Sequence, residues 1–137
     1  MPIFLLLLGL LLGPSAHAET LLVIANPQVP AAAVSAEELS AIYLLQRTAW
    51  SNGTPVAPVN REASSPEREA FSEKIFRRSP AELSEYWNRL RFQGKIPPLV
   101  QTSDQAVLGF VRKVPGAIGY VEAAQAPAGV KVLLRLP

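Results

Sequence analysis

Strands alternating with helices predict a layered α/β domain with a mixed, mostly parallel sheet. Two short apolar runs, Leu21 to Ala25 and Ala117 to Val121, read as buried strands closed by turn residues. Helical apolar stripes lie between them, each opened by a serine, as at Ser35, Ser65, Ser79 and Ser103. With 49% hydrophobic and 18% charged residues, the 137-residue chain has material for one packed core and too little charge for a disordered tail.

The first eighteen residues set the expected compartment. Ile3 to Leu12 is apolar throughout apart from Gly9, Gly13-Pro14 breaks the run, and Ala16-His17-Ala18 supplies small residues around a cleavage point. That is the pattern of a secretory signal peptide, residues 1–18, although no Lys or Arg precedes the run. The run is too short to span a bilayer, which takes roughly twenty apolar residues. Residues 19–137 are therefore expected as one periplasmic domain with no transmembrane span once the signal is removed. A retained anchor and a buried core segment are the other outcomes.

The elements follow in order. Leu21 to Ala25 is a strand ended by Asn26-Pro27. Ser35 and Glu38 form a capping box for a first helix, with Leu39, Ile42 and Tyr43 on its apolar face. Ser51-Asn52-Gly53 is a turn. Val56, Ala57 and Val59 flank Pro58, which suits an edge strand. Ser65-Pro66 opens a second helix whose buried face carries Phe71 and Ile75. Ser79 and Glu82 form a second box, expected to start a third helix bearing Leu83, Tyr86, Trp87 and Leu90. Pro97 to Val100 is extended, and Ser103 or Asp104 caps a fourth helix with Val107, Leu108, Val111 and Val114. Pro115-Gly116 stops it before two closing strands, Ala117 to Val121 and Val130 to Leu134.

Composition narrows the chemistry. Thirteen Lys and Arg against eleven Asp and Glu leave a net charge of +2, too small to argue for nucleic acid. There is no cysteine, and the single histidine, His17, belongs to the signal. No metal, cofactor or catalytic residue is expected, and none of the common hydrolase, phosphate-loop or calcium-loop patterns occurs. Glu37-Glu38 and Glu67/Glu69 each sit in a first helical turn, where the helix dipole explains them better than acid–base work does. Trp50 and Trp87 read as core or loop anchors, and Arg77, Arg78, Arg89, Arg91 and Lys95 as a solvated basic rim.

Three segments carry a family resemblance. Tyr43 to Trp50 followed by Asn52-Gly53 is similar to the IF-x-G-K-x-x-x-W-x-D/N-G segment of phosphate-transporter-type periplasmic substrate-binding proteins. Val56-Ala57-Pro58-Val59-Asn60-Arg61, with Ser64-Ser65 after it, resembles that family's P-V-x-R and S-G-T segment. Val114 to Val121 resembles its P-G-A-I-G-Y-V segment. The three occur in the family's order. The resemblance implies a single lobe of a type 2 periplasmic binding protein, half of a clamshell that closes on its ligand. The other lobe's glycine- and serine-rich phosphate loop has no counterpart here.

The resemblance places oxyanion contacts on Arg61, Ser64 and Ser65, with Pro66 where the family has Thr and Ser65 where it has Gly. A helix start offers N–H donors to an anion, and Arg offers a planar fork. Against that, Glu62, Glu67 and Glu69 bring negative charge, and the competing reading has Ser64 or Ser65 simply capping the helix and Arg61 simply pairing with Glu62 or Glu67. Two functions follow. One is an exported module related to the solute-binding component of phosphate ABC transport, binding phosphate or a similar oxyanion. The other is a periplasmic interaction or sensory accessory module that has lost its ligand and docks an envelope protein or a second copy. No enzymatic activity is expected.

Overall fold

The computed structural model describes residues 20–137. The signal-peptide expectation for residues 1–18 lies outside them. Nine elements occur in the expected order: β1 (Leu21–Ala25), α1 (Ala36–Tyr43), β2 (Ala57–Arg61), α2 (Pro66–Phe76), α3 (Ser84–Phe92), β3 (Leu99–Gln101), α4 (Asp104–Lys113), β4 (Ala117–Glu122) and β5 (Lys131–Leu136). The strands form one sheet in the order β3-β2-β4-β1-β5. β2 is parallel to β3 and β4, whereas β1 is antiparallel to both β4 and β5. Four strands thus run one way and β1 runs against them.

β1 explains its own sequence. It lies inside the sheet and is covered on both faces, so every residue from Leu21 to Ala25 is fully buried and no polar alternation is possible. Leu21, Val23 and Ala25 point into one core with Leu39, Ile42 and Tyr43 of α1 and Phe71 and Ile75 of α2. Leu22 and Ile24 point into a second core with Val107 and Val111 of α4. The result is three layers: α1 and α2, the sheet, and α4. The third helix adds a smaller cluster, Leu83, Trp87 and Leu90, against Leu44, Leu45 and Phe76.

Two expectations need correction. Pro58 is not on an edge strand, because β2 lies between β3 and β4. It is tolerated because the Ala57 N–H bonds Gly116 on the β4 side, so the Pro58 nitrogen faces the β3 side, and β3 begins pairing only at Val59. The Ser79–Glu82 box forms, with both reciprocal bonds in place. It closes a turn, however, and α3 begins at Ser84. The Ser35, Ser65 and Ser103 caps each accept the expected N–H, from Glu38, Arg68 and Ala106.

The segment Pro115 to Tyr120 is a packing device. Gly116 has φ +84°. A Cβ there would lie 2.2 Å from the Pro55 carbonyl oxygen. The Gly116 carbonyl accepts from both the Trp50 indole (2.9 Å) and the Ala57 N–H (3.0 Å). At Gly119 a Cβ would meet Val59 and Val107 at 2.7 and 2.8 Å, so only glycine lets α4 approach the sheet this closely. Tyr120 stacks on Phe71 with ring centroids 3.9 Å apart, and its hydroxyl donates to the Asn60 side chain.

Gly116→Ala is expected to cost about 3 kcal/mol, from the positive φ and the backbone collision together. Gly53 has the same φ of +84° but open space around it. Gly53→Ala should therefore lose only about 1 kcal/mol in urea melts. Equal losses would show that the Pro55 carbonyl moves aside freely.

Candidate functional site

The C-terminal end of β2 delivers Arg61 to a corner shared with the first turns of α2 and α4. The residue is 7% exposed. A buried guanidinium requires compensation, and three carboxylates surround it. Glu62 accepts from Nη2 at 2.9 Å, Asp104 accepts from Nη1 at 2.6 Å, and Glu67 stands 3.7 Å from Nη1. The second Asp104 oxygen accepts from the Glu122 N–H at 3.3 Å, tying α4 to the end of β4. The second Glu67 oxygen, Oε2, is buried with no hydrogen-bond partner among the described residues.

The charges respond in different directions. Burial works against the Arg61 charge, but the Glu62 hydrogen bond and the Glu67, Glu62 and Asp104 charges outweigh it and hold the guanidinium above its ordinary pKa. Glu62 is pulled below the usual carboxylate range by its hydrogen bond to Arg61. Asp104 is pushed up, because burial and the neighbouring Glu67 outweigh its bonds to Arg61 and to the Glu122 N–H. The short Arg61 contact and the raised Asp104 pKa pull in opposite directions, and burial is the larger effect. Burial also raises the Tyr120 phenol well above its ordinary range, so it stays neutral as donor to Asn60 and acceptor from the Arg61 N–H at 3.2 Å.

The serines divide. Ser65 is buried, and its hydroxyl is fully committed, donating to the Glu62 carbonyl at 2.9 Å and accepting from the Arg68 N–H at 3.1 Å. Ser64 is exposed and lines a groove of about 560 Å³ between α2 and α3. Arg61 and Ser65 therefore share one corner, while Ser64 faces another. Few donors remain at the α2 start. Pro66 has no N–H, the Ser65 N–H bonds the Glu62 carbonyl, and the Arg68 N–H is capped.

Sequence reasoning named Glu62 and Glu67 as partners of Arg61 but took Asp104 only as a cap. Asp104 lies 43 residues from Arg61, and no local pattern signals that contact. Asn26 was read as a turn residue. Its side chain also donates to the Val111 and Arg112 carbonyls at 2.9 and 3.1 Å, closing the end of α4. Among the described residues, no group of three or more His, Cys, Asp or Glu could hold a metal, and no helix is long and apolar enough to cross a membrane.

This three-layer architecture is that of a periplasmic binding protein lobe. A family described as a PBP superfamily domain matches residues 16–132, and the chain belongs to that family. Its fold is similar to three solved structures. One, from Clostridium perfringens, is assigned as a phosphate ABC transporter substrate-binding protein with bound phosphate (TM-score 0.68, 19% identity, 84% of this chain and 44% of that one). Another is an ABC-type phosphate transport receptor from Vibrio cholerae (0.66, 22%, 84% and 45%). The third is PstS from Borrelia burgdorferi (0.65, 18%, 84% and 46%). The chain thus spans less than half the length of these proteins. No curated protein matches it.

The two carboxyls should depart from their ordinary ranges in opposite directions, Asp104 upward and Glu62 downward. A raised folded pKa gives a stabilising contribution present at low pH and lost as pH rises through it. The lowered pKa of Glu62 gives one present at neutral pH and lost as pH falls through it. Carboxyl NMR titration should find the Asp104 midpoint above that of ordinary Asp and the Glu62 midpoint below that of ordinary Glu. An Asp104 midpoint below that of ordinary Asp would mean that the Arg61–Asp104 bond, not burial, controls Asp104.

Proposed function

We propose that the chain is an exported, periplasmic solute-binding-type lobe that takes a phosphate-like oxyanion at the Arg61 corner, in competition with its own carboxylates. The observation that carries this is the arrangement around Arg61. Its guanidinium already holds oxygen acceptors at 2.6 and 2.9 Å, distances suited to the oxygens of an oxyanion. Family membership and the phosphate-related names of the structural neighbours support the ligand class. Arg61 is the charged clamp. Ser65 acts by holding the first turn of α2, and Ser64 offers a free hydroxyl on the outer side of that turn. The ligand has to displace Asp104, so affinity is modest in the isolated lobe. Binding is the whole activity, and no residue at this corner is assigned to turnover.

A second reading, an interaction module, has its own support. Phe92 and Ile96 are 93% and 83% exposed, and Leu99 and Val100 of the edge strand β3 are about half exposed. Exposed apolar patches mark contact surfaces, and these four residues fall within one stretch, 92–100.

Mature chain recovered from periplasmic extract is expected to begin at Glu19 and to bind sulfate, a dianion across the working pH range, in the millimolar range by calorimetry. Asp104→Asn should tighten binding by about tenfold, the effect of removing one charged competitor, and Arg61→Ala should abolish it. Absence of heat in both the wild type and Asp104→Asn would overturn the oxyanion reading. For the second reading, light scattering should show self-association or capture of an envelope protein that Phe92→Ser and Ile96→Ser weaken. A monomer unaffected by either change, with no partner, would remove it.

A further inference from the structure

The arginine singled out by sequence is neutralised from within, but two other arginines are not. Arg68 and Arg91 both line the 560 Å³ groove between α2 and α3, and neither forms an ion pair among the described residues. The Arg68 side chain is held by one bond, from Nη1 to the Arg61 carbonyl at 3.1 Å, and its other guanidinium N–H groups make none among the described residues. Arg91 makes only a 3.5 Å contact with Asn88 of its own helix. Trp87 and Pro80 supply apolar wall, and the Ser64 and Ser84 hydroxyls supply donors. Glu69 is the one carboxylate lining the groove, so the two arginines leave it with a net positive charge.

The size fits a small organic molecule, since such ligands occupy clefts of roughly 300–1,000 Å³. A smaller cavity of about 80 Å³ shares Arg68, Trp87 and Arg91 and continues toward Asn60 and Pro97. Arg68, Trp87 and Arg91 thus line both spaces, Trp87 with 8% of its surface exposed. Arg61 lines neither. A fork of donors beside an indole suits a ligand with a charged oxyanion head and a flat apolar body.

We propose that this groove binds a small aryl phosphate or aryl carboxylate, its anionic head taken by Arg68 and Arg91 and its ring laid against Trp87. The site is separate from the Arg61 corner, and either can fail without the other.

The test uses phenyl phosphate and the two indole N–H signals of a ¹H–¹⁵N spectrum. Trp50 serves as internal reference, because its indole is buried and bonded to the Gly116 carbonyl. On titration the Trp87 signal should move saturably with Kd below about 1 mM, and the Trp50 signal should stay fixed. Inorganic phosphate should bind at least about tenfold more weakly, lacking a ring to bury. Arg91→Ala should weaken phenyl phosphate by about tenfold or more, and Arg68→Gln should do so independently. Arg135→Ala, an exposed cation on β5, should change nothing. Arg91 is exposed, so its replacement leaves the fold intact. A static Trp87 signal at about 10 mM ligand, equal affinity in Arg91→Ala, or equal binding of phosphate and its phenyl ester would each overturn the proposal. The sulfate heat read at Arg61 is indifferent to all three outcomes.

Discussion

A guanidinium cannot be withdrawn from water without oxygen acceptors to replace it, and the corner at Arg61 is organised around that requirement. The residue sits where β2 ends, α2 begins and α4 begins. Each of those three places supplies a carboxylate: Glu62 after the strand, Glu67 in the first turn of α2 and Asp104 in the first turn of α4. Glu67 and Asp104 also suit the positive ends of their helices, so helix polarity and charge compensation favour the same two residues. One buried cation thereby fixes the relative positions of two helices on opposite faces of the sheet. The arrangement also means that a free anion meets an arginine already partnered.

Function follows from which cations are satisfied and which are not. A receptor half that met its ligand with an uncommitted arginine and several free N–H groups would bind tightly. Here the serine cap, the proline at the first helical position and the internal acids have consumed most of that capacity. Arg68 and Arg91 keep theirs, beside an indole. The family frame is retained, and these two arginines, without an ion pair among the described residues, line the groove rather than the Arg61 corner.

The sequence disclosed much of the fold and less of the corner. Element order could be read because caps, prolines and apolar periodicity are local. Ser35, Ser65 and Ser103 each cap the helix assigned to them. Direction and adjacency of strands are not local. Nothing in Leu21 to Ala25 says that its neighbours run against it, and nothing around Pro58 says that β3 starts one residue too late to need its nitrogen. The Arg61–Asp104 contact and the Asn26 bonds to the end of α4 span 43 and 85 residues or more, so spacing rules are blind to them. The P-G-A-I-G-Y-V segment, the closest family likeness, marks steric constraint at Gly116 and Gly119. It is evidence of fold and carries no ligand chemistry.

β1 has a consequence for how the molecule is made. Its backbone is paired on one side by residues 118–122 and on the other by residues 131–136. The earliest strand is thus closed only by the two latest, and the most buried stretch of the sheet has no local partner. Such distant pairings are slow to form and must await the distal segments. The sheet therefore cannot close around β1 until residues 131–136 have been made and brought back beside it.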